Sequence, residues 1–149
     1  MAHTFTNLLV HVVFSTKDRY PYLTPEVRRK LFPYMAGIVT NCGGVSLCTN
    51  GPEDHVHMLL SMPTTVALAD LLRTVKANAS KWIHEETPCA DFAWQTGYGA
   101  FSVSMSLAEK VKSYIHAQEE HHRGITFQEE LIAFLERHGI EYDPRFIWE

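Results

Sequence analysis

The run EDHVHMLL, residues 53–60, places two histidines one position apart in a stretch of strand-like composition. Side chains alternate along a strand, so His55 and His57 share one side with Leu59 and Ser61, while Val56, Met58, Leu60 and Met62 take the other. The second set is a core face. The first presents two imidazoles side by side, which a core does not require. Rings so placed can converge on one divalent ion. They are equally compatible with a structural or solvated pair, so a metal reading needs further ligands and a use for the ion.

The segment after Ser106 offers both. At about 100° per residue, Leu107, Val111 and Ile115 form an apolar stripe, and Glu109, Lys112, His116, Glu119 and Glu120 lie on the far side. Tyr114 and Gln118, spaced i, i+4, sit one above the other within or beside that stripe. A tyrosine there is ordinary. A glutamine is not, because a buried amide without partners costs roughly 2 kcal/mol or more. If this helix lies over the His55/His57 face, the amide oxygen joins the two imidazoles around an ion, with a phenol one turn away. A phenol, with its pKa near 10, is a weak nucleophile at neutral pH. A divalent cation polarises a phosphoryl oxygen and stabilises the charge that builds there. The product is a phosphotyrosine ester, which divides one hard step into two and keeps the energy of a broken phosphodiester for rejoining. That chemistry suits strand transfer better than hydrolysis.

The elements that must position these groups follow from the rest of the chain. Residues 5–16 (FTNLLVHVVFST) read as a strand, with Leu8, Val10, Val12 and Phe14 on one face and His11 on the other beside Leu9 and Val13. Thr24-Pro25-Glu26 opens a helix that runs to about Asn41 and stops at Gly43-Gly44. Residues 45–50 form a strand, and Gly51-Pro52 turns the chain into the histidine strand as a hairpin. Residues 66–86 form an amphipathic helix through Leu68, Leu71, Leu72, Val75, Ala79, Trp82 and Ile83. A long strand over 92–104 is broken by Gly97 and Gly99, either as a bulge or as a close backbone approach. Ser106-Leu-Ala-Glu109 and Thr126-Phe-Gln-Glu129 read as capping boxes, opening helices to about His121 and His138. The aromatic tail GIEYDPRFIWE is expected to pack on the domain or a partner. The order is an α+β, ferredoxin-like β-α-β-β-α-β pattern with an antiparallel sheet and C-terminal helices, one of which carries the tyrosine. All 149 residues read as a single domain.

Composition excludes several classes. The chain is 46% hydrophobic and 20% charged, which is globular. No run approaches the roughly 18–20 apolar residues of a membrane span, and the N-terminus reads as a strand rather than a signal peptide. Cys42, Cys48 and Cys89 lack metal-type spacing and read as free thiols of a reducing cytoplasm. A net charge of −4 argues against non-specific coating of nucleic acid but leaves room for a local basic patch.

HVHML, followed by YIHAQ in a late helix, resembles the His-hydrophobic-His (HUH) single-tyrosine transposases of small insertion sequences. The resemblance extends through HVVFSTKDRYPYL, PEDHVHMLL, WQTGYGAFSVS and GIEYDPRFIW. It implies cleavage and rejoining of single-stranded DNA, with Tyr114 as the nucleophile. A Mg²⁺ or Mn²⁺ ion would be held by His55, His57 and Gln118. The tyrosine would join a 5′ phosphate and release a 3′ hydroxyl. It further implies a homodimer, in which the tyrosine helix can complete the partner's site, and recognition of DNA hairpins at element ends.

DNA contacts are expected from Lys17 and Arg19 after the first strand, and from Arg73, Lys76, Ser80 and His84 on one flank of the 66–86 helix. Lys110 and Lys112 lie near the tyrosine. Each reads equally as a solvated surface group. Tyr98 reads either as a base-stacking ring or as core, and His11 either as a support for the site or as a plain strand histidine. Three rival readings stand. A histidine-triad nucleotide hydrolase would want a further histidine where Leu59 stands. A non-catalytic RNA-binding ferredoxin-like module would not need the paired histidines. A zinc hydrolase lacks an evident carboxylate ligand, since Asp54 is expected to point to the opposite strand face.

Overall fold

The computed structural model describes residues 3–148. Four strands, β1 (Leu9–Ser15), β2 (Val45–Asn50), β3 (His55–Ser61) and β4 (Gly99–Val103), form one sheet in the order β2-β3-β1-β4, with every neighbouring pair antiparallel. Helices α1 (Pro25–Asn41) and α2 (Leu68–Glu86) separate them, so the ferredoxin-like order expected from the sequence is present. No helix among the described residues is long and apolar enough to cross a membrane.

Alternation in the central strands builds the larger core. Val12 and Phe14 of β1 and Val56, Met58 and Leu60 of β3 meet Leu31, Met35 and Val39 of α1 and Leu71, Leu72, Val75 and Ala79 of α2. Helix α1 starts where Thr24 accepts a hydrogen bond from the Val27 backbone and Pro25 needs no N–H partner. It ends at Gly43, whose φ of +91° favours glycine. Helix α2 starts at Leu68, without a side-chain cap.

The opposite sheet face is covered too, by α3 (Ala108–His116) and α5 (Phe127–Arg137). The Thr126 cap forms as expected, accepting from the Glu129 N–H. Tyr142, Ile147 and Trp148 of the tail pack on Phe127, Leu131 and their neighbours, so the aromatic tail closes over its own domain.

Two expected elements differ. The last strand is short: β4 begins at Gly99, and residues before it form a loop tied to β1 by a bridge between Thr16 and Trp94 and by the Ser15 N–H donating to Gln95 Oε1. Its apolar residues Phe92 and Trp94 mimic a strand in the sequence but serve as core packing. Lys76 supplies the donors a neighbouring strand would have given, holding the Gln95 and Gly97 carbonyls at 2.8 and 2.9 Å. The helix after Ser106 also departs from expectation. A short 3-10 turn, Met105–Leu107, precedes α3, and Ser106 bonds Ser104 instead of capping. Helix α3 stops at His116, and a one-turn helix α4 (Gln118–His121) follows the break at Ala117.

Candidate metal and tyrosine site

Strands β1 and β3 set the floor of the site. Their register places Val13 opposite His57 and Ser15 opposite His55, so His11, His55 and His57 all rise from the face opposite the α1/α2 core. His55 and His57 have no exposed surface, and His11 is 3% exposed. The turn that presents His55 is tight: a Cβ on Gly51 would stand 2.1 Å from the His55 carbonyl oxygen.

The structure brings Tyr114 to this face within a single chain. Its ring centroid is 5.9 Å from that of His57 and 6.3 Å from that of His11. Gln118 is fully buried one helical step on, its Nε2 donating to the Tyr114 carbonyl at 3.3 Å. Sequence reasoning expected these two groups over the imidazoles; the Tyr114 ring lies there, and the break at Ala117 leaves Gln118 beside Tyr114.

Glu130, on α5, is a charged group that sequence reasoning did not single out. It is 2% exposed. Its Oε1 lies 2.9 Å from His57 Nε2, 3.0 Å from His122 Nε2 and 3.2 Å from His55 Nε2. Its Oε2 accepts a short hydrogen bond from the Tyr114 hydroxyl, which also meets His121 Nε2 at 3.1 Å. A signal for Glu130 existed: it falls at a core position of α5, among Phe127, Leu131 and Phe134, where a carboxylate needs partners.

The outer nitrogen of each ring is also occupied. His55 Nδ1 donates to Asp54 Oδ1 at 2.7 Å, His122 Nδ1 donates to the Ile125 carbonyl at 2.8 Å, and His57 Nδ1 pairs with His11 Nε2 at 2.8 Å. Asp54 therefore turns toward the site. The expectation that it faces away fails because it precedes β3 and is not bound by the strand's alternation. His11 is a direct support of His57, not a plain strand residue.

Electrostatics follow from burial. Desolvation pushes His57 down to about 4 and His11 to about 3, in each case with a second imidazole adding to the effect. Burial works the same way on His55, but Asp54 and Glu130 outweigh it and raise its pKa. Burial alone would raise Glu130, but the imidazoles of His122, His55 and His57 set against it hold it well below the usual carboxylate range. Tyr114 is raised by burial and then by Glu130.

A divalent ion fits this set on two orphaned atoms. His55 Nε2 and Gln118 Oε1 are buried without hydrogen-bond partners, the 3.2 Å approach of His55 to Glu130 being off the line of a bond. Ring nitrogens of His55, His57 and His122 and a Glu130 oxygen all lie within 4.8 Å of one another.

Other expected contact residues have varied surroundings. Lys17 is exposed, and Arg19 stacks over Trp148 at 5.7 Å. Arg73 pairs with Asp70 at 2.6 Å in the open, and His84 Nε2 meets the Phe92 carbonyl at 2.8 Å. Arg73, Lys76, Ser80, Trp94 and Tyr98 line one groove of about 460 Å³. A second cavity, of about 420 Å³, opens beside Tyr114 between Lys110 and Arg137. The close approach expected at Gly97 or Gly99 is at Gly99, where a Cβ would stand 3.1 Å from Val13 and 3.2 Å from Leu131 of α5. Gly97 has open space.

Known proteins resemble this chain in sequence and in fold. The chain is 28% identical over 126 residues to the transposase for insertion sequence element IS200 of Salmonella typhimurium, covering 80% of this chain and 82% of that protein. It is 23% identical over 116 residues to the ISDra2 transposase TnpA of Deinococcus radiodurans, covering 74% and 83%. Among solved structures, the fold matches a Deinococcus radiodurans protein assigned as a transposase, with TM-score 0.65, 22% identity and coverage of 79% and 95%. It also matches the REP-associated tyrosine transposase bound to a REP hairpin, with TM-score 0.60, 11% identity and coverage of 82% and 72%. The model of the IS200-like transposase family matches residues 4–118, and by that match the chain belongs to the family and is a transposase.

Proposed function

We propose that this transposase cleaves and rejoins single-stranded DNA through a 5′-phosphotyrosine at Tyr114, with a Mg²⁺ or Mn²⁺ ion held by His55, His57 and Gln118. The observation that carries the reading is the packing of Tyr114 beside the buried histidine pair within one chain: its ring lies 5.9 Å from that of His57, and its hydroxyl reaches Glu130, which also faces His55 and His57. The orphaned His55 Nε2 and Gln118 Oε1 support the ion. When bound, the ion supplies Lewis-acid polarisation of the scissile phosphoryl group.

The chain's own residues do the rest. Glu130 Oε2 fixes the phenol O–H and so the direction of attack. The same Oε2, which already accepts the phenol O–H, is positioned to receive its proton, and His121 Nε2, 3.1 Å from the phenol oxygen, holds the ring from the other side. The phenolic oxygen then bonds to phosphorus, the P–O3′ bond breaks, and the departing oxygen is protonated to a 3′ hydroxyl. Lys110 and Arg137 flank the cavity by which a phosphate reaches Tyr114. The groove with Arg73, Lys76, Trp94 and Tyr98 offers cations and aromatic faces to a single strand, and Lys17 and Arg19 extend the cationic edge. A DNA hairpin as the recognised end, a homodimer as the working unit and the cytoplasm as its location complete the proposal. The hairpin has support from the REP-bound structural neighbour.

The test is incubation with single-stranded DNA carrying candidate element ends and Mn²⁺, read as a protein–DNA adduct on denaturing gels. The adduct is expected to vanish in Tyr114→Phe and to weaken sharply in the double substitution of His55 and His57 by alanine. Duplex DNA is expected to react poorly. Equal cleavage of duplex, or an undiminished adduct in Tyr114→Phe, contradicts the reading.

A further inference from the structure

We propose that His122 and Glu130, both beyond the residues matched by the family, join His55, His57 and Gln118 in a centre of three imidazoles, one carboxylate and one amide that selects a transition ion over Mg²⁺. The inference rests on the reading of His55 and His57 as metal ligands and narrows the ion they hold.

Three inner ring nitrogens converge on one buried oxygen. His122 turns its Nδ1 to the Ile125 carbonyl at 2.8 Å and its Nε2 to Glu130 Oε1 at 3.0 Å. His55 is turned the same way, Nδ1 on Asp54 and Nε2, which has no hydrogen-bond partner, 3.2 Å from the same oxygen. His57 Nε2 stands 2.9 Å from it. The four ligand atoms all lie within 4.8 Å of one another, the arrangement a single cation would fill.

The outer contacts point the same way. A ligating imidazole normally gives its far N–H to a carboxylate, a carbonyl or another polar group, which fixes ring orientation. Here Asp54 serves His55, the Ile125 carbonyl serves His122 and His11 serves His57. The inner atoms are also close-set, the three nitrogen–oxygen distances being 2.9, 3.0 and 3.2 Å.

The donor set decides the ion. Mg²⁺ prefers oxygen ligands and keeps its waters, whereas imidazoles favour later first-row ions. The expected affinity order is Zn²⁺ above Mn²⁺, and Mn²⁺ well above Mg²⁺. Glu130 would bridge, with Oε1 on the ion and Oε2 on the Tyr114 hydroxyl, so that ion and nucleophile share one carboxylate.

The experiment is calorimetric titration of the chelator-stripped full chain with Zn²⁺, Mn²⁺ and Mg²⁺, without DNA. It compares wild type, Glu130→Gln, His122→Gln, Gln118→Ala and His55→Ala. Glu130→Gln and His122→Gln are each expected to weaken Zn²⁺ binding about tenfold or more, and Gln118→Ala to weaken it less than either. Visible spectra of the Co²⁺-loaded protein give a second readout: the ligand-field bands are expected to shift in Glu130→Gln, whether or not its affinity is measurable. Wild-type affinity and spectra in both Glu130→Gln and His122→Gln, with binding lost in His55→Ala, overturn the inference while leaving the two-histidine site intact. No ion bound by wild type overturns both. Mg²⁺ binding as tight as Zn²⁺ overturns the selectivity.

Discussion

Replacing His11 with leucine removes the hydrogen-bond partner of His57 Nδ1 while roughly keeping the volume of the ring. His11 packs edge-on to Phe134 with centroids 5.1 Å apart and holds His57 at 2.8 Å, so the change trades a polar contact for an apolar one inside a buried cluster. Leaving His57 Nδ1 unpaired costs about 1–3 kcal/mol. Burying an aliphatic side chain in place of an imidazole returns a comparable amount, about 1.5–3 kcal/mol at full burial. The two effects nearly cancel in stability, so the melting temperature is expected to stay within about 4 °C of wild type. Ion affinity has no such offset, because the leucine cannot fix the tautomer and tilt of His57. Loss of an outer partner of a ligating histidine typically costs about 10- to 100-fold in affinity, or roughly 1.4–2.7 kcal/mol. Calorimetric Mn²⁺ titration alongside thermal melts separates the two quantities, and His11→Gln, which can restore a hydrogen bond, should recover part of the affinity. A His11→Leu protein that folds and binds Mn²⁺ as wild type does would refute the supporting role of His11.

Gly51→Ala drives a Cβ to 2.1 Å from the His55 carbonyl oxygen, at the severe end of the overpacking range, about 3 kcal/mol. Thermal melts should show a loss of roughly 6–12 °C, and an unchanged midpoint would contradict the close approach. Lys76→Met removes the donors that hold the Gln95 and Gly97 carbonyls. Amide exchange across residues 94–99 should accelerate while β1 and β3 stay protected; uniform protection would deny the lysine its tethering role. Acid should destabilise the metal-free protein. His11 and His57 are held down to about 3 and about 4, so below pH 6.5 the unfolded chain binds protons that the folded chain refuses. Stability then falls with pH, by up to about 1.4 kcal/mol per unit for each ring. His55, raised, opposes this: its contribution is full below 6.5 and fades at higher pH. Urea midpoints at pH 7, 6 and 5 should decline, and a rise would contradict the burial of these two rings.

The sheet and the two helices over its larger core were legible because strict alternation in β1 and β3 and helical spacing in α2 leave few other arrangements. The histidine pair was legible for the same reason: period-2 placement put both imidazoles on the face opposite Val56, Met58 and Leu60. Tyr114 and Gln118 were legible from their i, i+4 spacing. Glu130 was not singled out because Glu129, its neighbour, accounts for the Thr126 cap, and the pair of glutamates reads as a first-turn charge cluster. Its helical spacing with Phe127, Leu131 and Phe134 was a signal of a core position, but its partners came into view only with α5 docked on the histidine face. His122 lies outside any regular element's periodicity, just past α4, so nothing in its spacing predicts where its ring points. The overlong final strand reflects Phe92 and Trp94, whose apolar side chains fill the core from a loop. Apolar composition alone cannot distinguish that from a ladder. The break at Ala117 has no signature among helix-forming neighbours.

The most direct measurement is peptide mass spectrometry of the protein after reaction with a single-stranded element end and Mn²⁺. The peptide containing Tyr114 should gain the mass of a 5′-linked nucleotide phosphate, and that species should be absent from Tyr114→Phe. A nucleotide carried instead by another residue, or strand cleavage that persists in Tyr114→Phe, would contradict the account.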